Sequence, residues 1–282
     1  MNSNDEKLSR RIEKMTPLDD IMMSRIFDDN VPLIQYVIRT ILHRDDIDIV
    51  SVRTQYELHN PVLNGKDIRL DILAVDSKGN QYNIEMQKYK SGASIRRAEI
   101  HAGALSLRGY SKGMSFDEIK DTYVIFIMDK DYLGGGLQIY YIANSVYNNN
   151  TRGVGGVHII FLNTSYVTKD ELGLLEIDLN TSNPEDMHSE LFKDSAERFK
   201  KEGKMNMSVR EEVIEIFKDE IEESKAKARA EARAEALAEG EASGITKGRA
   251  EGEAKTKEMV RANLEKLGYS KEEIAKILSA TD

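Results

Sequence analysis

Two carboxylates stand out in the stretch KDIRLDILAVDSKGNQYNIEMQ, residues 66–87. Asp76-Ser77-Lys78-Gly79-Asn80, set between two alternating apolar runs, predicts a hairpin whose loop is a type I turn closed by a left-handed glycine. That loop makes Asp76 and Asn80 partners. Counting outward sets Val75 against Gln81, Ala74 against Tyr82 and Asp71 against Glu85. Directly opposed side chains lie about 5 Å apart on one face, and Gln87, two residues beyond Glu85, shares that face. Like charges so placed destabilise a sheet, and something must neutralise them. A divalent cation is one answer. Hard carboxylate oxygens suit Mg²⁺ or Mn²⁺, and such an ion polarises a phosphoryl oxygen and activates a water, the two needs of phosphodiester hydrolysis. Other arrangements satisfy the same residues. A register displaced by one turns Asp71 to the opposite face; a basic neighbour, Lys66, Arg69 or Arg97, can pair the acids for structural ends; or the hairpin is partly exposed.

The elements that must position these residues are legible from periodicity. Residues 18–28 carry Leu18, Ile21, Met22, Ile26 and Phe27 at helical spacing. Asn30 reads as the N-cap of a second helix with Pro32 in its first turn. Strands are expected at 47–58, 67–75 and 81–88, a helix at 92–110, a buried strand at 122–128, and further strands at 137–142 and 157–162, separated by Gly- and Asn-rich loops. This order suits an α/β domain built on a central mixed sheet flanked by helices.

Beyond residue 195 the composition shifts to Ala, Glu, Lys and Arg, and from about 208 the chain reads as a long charged helical tail. Small residues recur every fourth position: Ala228, Ala232, Ala236, Gly240, Gly244, Gly248 and Gly252. A spacing of four drifts around a helix of 3.6 residues per turn, so this is a ridge and not a coiled-coil seam. A solvated linker is the favoured reading, with homo-oligomer formation through the ridge as the alternative. Ser270 with Glu273 forms a capping-box pattern opening the last of two short helices joined at Gly268. The expected divisions are 15–195 for the folded domain, 196–255 for the helical linker and 256–282 for a small helical hairpin.

The net charge of −9 argues at first against a polyanionic partner. Between Ser51 and Lys112, however, ten basic residues face six acidic ones. The chain has no cysteine, which removes thiolate chemistry and disulfides. The polar N-terminus carries no signal-like run and no segment reaches membrane-span length, so the expectation is a cytoplasmic protein with no membrane partner. The five histidines are scattered without metal-site spacing and read as structural or surface residues. No phosphate-binding GxxxxGK[ST] loop is present.

Asp71, followed after a gap of thirteen residues by Glu85-Met86-Gln87, resembles the D…(D/E)xK signature of restriction-endonuclease-like nucleases. The block NIEMQ after a strand carrying LDI, the upstream helix with Asp20, Met23 and Phe27, and the downstream Arg97 resemble more narrowly the PD-(D/E)xK nuclease family transposases, also described as recombination-promoting nucleases. The Ala/Glu/Gly-rich tail and GYSKEEIAKI are similar to tails of that family. The resemblance implies a restriction-endonuclease-like core and a metal-dependent DNA endonuclease of little sequence specificity, linked to recombination or transposition. Asp71 and Glu85 would be metal ligands for Mg²⁺ or Mn²⁺, with the Met86 carbonyl a third. Gln87 stands where the signature has Lys and would position water; lacking the positive charge, it implies slow catalysis. Asp20 would hold a metal water, or serve only the helix N-terminus. Arg97 would clamp a phosphate or Glu85. Where family members commonly carry aromatics after that Arg, this chain has Ile100 and His101. The competing reading is a decayed nuclease fold that binds DNA or a protein.

Overall fold

The computed structural model describes residues 3–59, 65–88, 90, 92–142, 155–205, 211, 213–215, 252, 255–268 and 270–279. The chain separates into two compact units, Met1–Ile214 and Glu215–Asp282. The first unit holds α1 (Ser3–Lys14), α2 (Asp20–Phe27), α3 (Val31–Leu42), β1 (Ile49–Leu58), β2 (Ile68–Asp76), β3 (Gln81–Gln87), α4 (Ile95–Arg108), β4 (Thr122–Met128), β5 (Ile139–Ile142), β6 (Val157–Asn163), α5 (Glu171–Asn180) and α6 (Glu190–Met205).

The strands form one six-stranded sheet in the order β1-β2-β3-β4-β6-β5. β1, β2 and β3 are antiparallel neighbours, β3, β4 and β6 run parallel, and β5 returns antiparallel on the far edge. The sheet is therefore mixed and the fold is α/β, as the element order predicts. The parallel step from β3 to β4 requires a crossover, and α4 supplies it. The α4 crossover lies against one face of the sheet, where Ala98, Ala102 and Leu105 pack on Val124, Phe126 and Phe161. Residues alternate along a strand, so Tyr123, Ile125 and Ile127 face the other way. On that side Arg44, just past α3, donates to the Tyr123 hydroxyl at 3.0 Å.

Local chemistry explains several boundaries. Asn30 Oδ1 accepts the Leu33 N–H at 3.3 Å and Pro32 occupies the first turn, so α3 begins where its cap dictates. His43 closes α3 in the left-handed conformation with φ of 50°. The β2–β3 loop takes the predicted form: Asp76 N–H bonds the Asn80 carbonyl at 3.1 Å, Gly79 N–H bonds the Asp76 carbonyl at 3.0 Å, and Gly79 has φ of +87°. Asp76 Oδ1 reinforces the turn by accepting the N–H groups of Lys78 and Asn80 at 3.0 and 2.8 Å.

Helices α1 and α6, which periodicity did not single out, pack on each other, and α6 also packs on α2 and α3. Phe192 of α6 sets its ring edge-on to Phe27 at 5.9 Å between centroids. The helix runs across residue 195, where the composition changes; Ala196 and Phe199 beyond that point are buried with Phe192. In the second unit a helix over 255–266 precedes Lys271–Ser279. Gly268 between them has φ of +86°, and Ser270 Oγ donates to Glu273 Oε2 at 2.7 Å, the expected capping pair. The small-residue ridge from Ala228 to Gly248 lies outside the described residues. Among the described residues no helix is long and apolar enough to cross a membrane.

Candidate active site

The register between β2 and β3 pairs Val75 with Gln81, Ala74 with Tyr82, Leu73 with Asn83 and Ile72 with Ile84. One step further sets Asp71 beside Glu85. Here side chains replace the backbone ladder. Asp71 N–H donates to Glu85 Oε1 at 3.2 Å, and Met86 N–H donates to Asp71 Oδ2 at 2.9 Å. The Met86 carbonyl points to the same side as its N–H, toward Asp71, because the two groups of one strand residue share a direction.

Glu85 is fully buried. Arg97, in the first turn of α4, donates from Nη2 to Glu85 Oε2 at 2.8 Å. His101, one turn further along α4, places Nδ1 3.3 Å from Glu85 Oε1 and 3.0 Å from the amide of Asn83. The Arg97 Nε–H donates to His101 Nε2 at 3.4 Å. That contact makes Nε2 the acceptor, so Nδ1 carries the ring proton. Asn83 Oδ1 is buried with no partner. Half a turn of the amide gives it the Nδ1–H as its donor and completes the chain Asn83, His101, Arg97, Glu85.

This chain belongs to a longer pattern. On β3 the residues facing α4 are Gln81, Asn83, Glu85 and Gln87, all buried. Gln81 Nε2 donates to the Leu105 carbonyl at 3.0 Å, and Asn83 and Glu85 meet His101 and Arg97 in turn. Two residues advance a strand by about 6.6 Å, and four advance a helix by about 6 Å. An antiparallel helix and strand therefore stay in step, and each turn of α4 answers one polar residue of β3. The ladder satisfies side chains that would otherwise be costly to bury.

Gln87 closes β3, and its carbonyl accepts the Asp129 N–H at 3.2 Å. A Cβ added at Gly92 would stand 1.6 Å from Gln87 Oε1 and 3.5 Å from Arg97 Nη1. Only glycine leaves room at position 92 for the Gln87 amide in this place. Asp20 opens α2. It is exposed at its surface, yet the atoms gathered around it and the adjacent charge of Asp19 hold its carboxyl above the ordinary range, with Arg69 and Lys88 pulling the other way. Lys88 itself pairs with Asp19 at 2.7 Å.

Burial first, and then the charge of Glu85, push the Asp71 carboxyl up to about 7. The Met86 N–H and Arg97 offset this only in part. Such a carboxyl takes up a proton or a cation near neutrality. Hard oxygens with lone pairs to spare are available: Glu85 Oε2 accepts a hydrogen bond from Arg97, and Asp71 Oδ2 accepts one from Met86. The donor set fits a divalent cation. Among the described residues no three His, Asp or Glu side chains converge, so a cation here would draw remaining oxygens from backbone, water or substrate.

The structure thus brings Asp71, Glu85, Gln87 and Arg97 to one end of the sheet and sets Asp20 within electrostatic range. His101, Asn83 and Gly92 were not singled out from sequence. The signal for His101 was its position four residues after Arg97, one turn along the same helix face. For Asn83 it was the two-residue step from Glu85.

A family model described as PD-(D/E)XK nuclease family transposase matches residues 18–238, which takes in α2 through α6 and the whole carboxylate site. No curated protein and no solved structure matches the chain.

Proposed function

The chain belongs to the PD-(D/E)XK nuclease family transposases, and from that premise we propose that it is a metal-dependent DNA endonuclease that hydrolyses phosphodiester bonds with little sequence preference. The observation that carries the proposal is the buried pair itself: an Asp71 carboxyl raised to about 7 beside a fully buried Glu85. Asp71 and Glu85 would hold Mg²⁺ or Mn²⁺, with the Met86 carbonyl as a further oxygen. When bound, such a cation supplies Lewis-acid polarisation of the phosphoryl oxygen and neutralises the carboxylate pair. Arg97 and His101 fix the Glu85 carboxylate in one orientation, so little reorganisation remains when charge develops on the phosphate. The Gln87 amide, seated against Gly92, orients a water by hydrogen bonding. An amide carries no charge, so turnover is slow compared with a site bearing Lys in that place. Asp20 supports a water at the rim. The tail assembles or targets the protein in a recombination or transposition setting.

One observation favours a second reading, a nuclease fold retained as a DNA- or protein-binding module. Glu85 already has Arg97 on one oxygen and the Asp71 N–H on the other, which is a self-sufficient structural arrangement. Supercoiled plasmid with Mg²⁺ or Mn²⁺ decides between them. Nicking that needs metal, stops in EDTA and disappears in Asp71→Ala and Glu85→Ala is the expected result. An inert wild type, or variants that cut equally well, puts the binding module in its place.

A further inference from the structure

Three residues besides glycines have positive φ among the described residues. Asp29 and His43 lie at the ends of α2 and α3, where a left-handed residue is ordinary. Gln55, with φ of 51°, lies in the middle of β1. A side chain of this size is disfavoured there, and such outliers in a strand persist only when the surroundings hold them. The pairs on either side, Thr54 with Ile72 and Tyr56 with Leu70, place Gln55 opposite Asp71. The kink therefore faces the candidate metal ligand across the β1–β2 boundary.

The kink also determines where one arginine goes. Arg69 lies two residues before Asp71 on β2. Its direct cross-strand partner is Glu57, the carboxylate an arginine would ordinarily pair with. Instead, its Nε–H donates to Gln55 Oε1. Among the described residues Arg69 makes no ion pair, whereas Arg97 is paired with Glu85 and Lys88 with Asp19. Arg69 is exposed, and its charge is felt at Asp20. A neutral acceptor orients a guanidinium and leaves its charge intact, and planar guanidinium groups recognise phosphate oxygens well.

We infer that Arg69 binds a backbone phosphate of the DNA beside the scissile bond, and that Gln55 is the positioning residue that holds Arg69 at the Asp20 side of the site. The inference rests on the nucleolytic reading above and adds a contact to it.

The test is binding of a short fluorescent duplex in EDTA across a salt series, so that no cleavage is needed. Arg69→Gln is expected to flatten the plot of log binding constant against log salt by about 0.9, the contribution of one phosphate. Gln55→Gly is expected to flatten it similarly while melting no lower than wild type, since glycine accepts the left-handed conformation. Gln55→Glu, which still holds Arg69 but cancels its charge, is expected to weaken binding as far as Arg69→Gln does. Wild-type slope and affinity in Arg69→Gln, with plasmid nicking by wild type intact, overturn the inference and leave the nuclease reading standing. A wild type that neither binds duplex nor nicks plasmid overturns both.

Discussion

Among the candidate metal ligands, Asp71 is the residue whose carboxyl is shifted upward by its surroundings. Its folded-state pKa of about 7 lies above the ordinary carboxyl value because burial and Glu85 both disfavour its ionised form. The folded protein thus holds a proton that the unfolded chain has released. The stabilisation is complete below the unfolded pKa near 3.8 and is lost as pH rises through about 7. In EDTA, Asp71→Asn is therefore expected to be more stable than wild type at pH 8, by roughly 1–3 kcal/mol, with the gap closing toward pH 4. Urea denaturation at both pH values checks this. A variant less stable than wild type at pH 8 would show the carboxyl to be ionised and satisfied by its hydrogen bonds. Metal should narrow the same gap from the wild-type side, because Asn removes an anionic ligand.

At the scale of elements, α4 and α1 are held to the fold by different means. The α4 helix is tied to β3 by the polar ladder, which fixes its rotation as well as its position. The N-terminal helix α1 lies far from the carboxylates in sequence and is tied down by one buried lysine. Lys200 of α6 donates from Nζ to the carbonyls of Ile12, Glu13 and Met15 at 3.3, 2.6 and 3.2 Å. A cation at the C-terminal end of a helix meets the negative end of its dipole and the carbonyls that lack intrahelical partners. Lys200→Met keeps much of the stem's packing and removes these bonds, and is expected to cost about 1–3 kcal/mol in urea unfolding. An unchanged midpoint would mean that the other contacts of α1, among them those of buried Leu8 and Ile12, hold it without the lysine. Since α1 contributes nothing to the carboxylate pair, nicking by folded Lys200→Met should match wild type.

At the scale of the whole molecule, the first unit carries its own sheet and core within Met1–Ile214. The matched family span reaches residue 238, past the end of that unit. A chain ending at residue 214 is expected to fold cooperatively and to nick plasmid within about threefold of the full chain per active site, since effects this small sit below 1 kcal/mol. If its mass by light scattering is that of one chain while the full-length protein is larger, the tail is the means of assembly. Loss of nicking in a folded truncation would show that Glu215–Asp282 contributes to substrate binding or to the site. The net charge of −9 belongs to the whole chain, whereas the carboxylate hairpin lies in a segment with four more basic than acidic residues.

The amino-acid sequence alone predicted the hairpin and its register, which the ladder follows as far as Ile72 and Ile84, one step short of Asp71 and Glu85. Both determinants are local: the turn from Asp76 to Asn80 with a left-handed Gly79, and the two-residue alternation of strands. The N-cap at Asn30 and the capping pair at Ser270 were legible for the same reason, each being complete within four residues. Tertiary structure alone decided what surrounds the acids. Gln81, Asn83, Glu85 and Gln87 alternate with Tyr82, Ile84 and Met86, a pattern that by itself describes a strand with one wet face. The fold covers that face with α4, and Arg97, His101 and the Leu105 carbonyl take the place of water. Gly92 against Gln87 and Gln55 against Arg69 are likewise contacts across strands, loops or helices. No local period encodes them, because they depend on how α4 is laid along β3 and on where β1 leaves the regular ladder. Those are outcomes of packing the whole sheet.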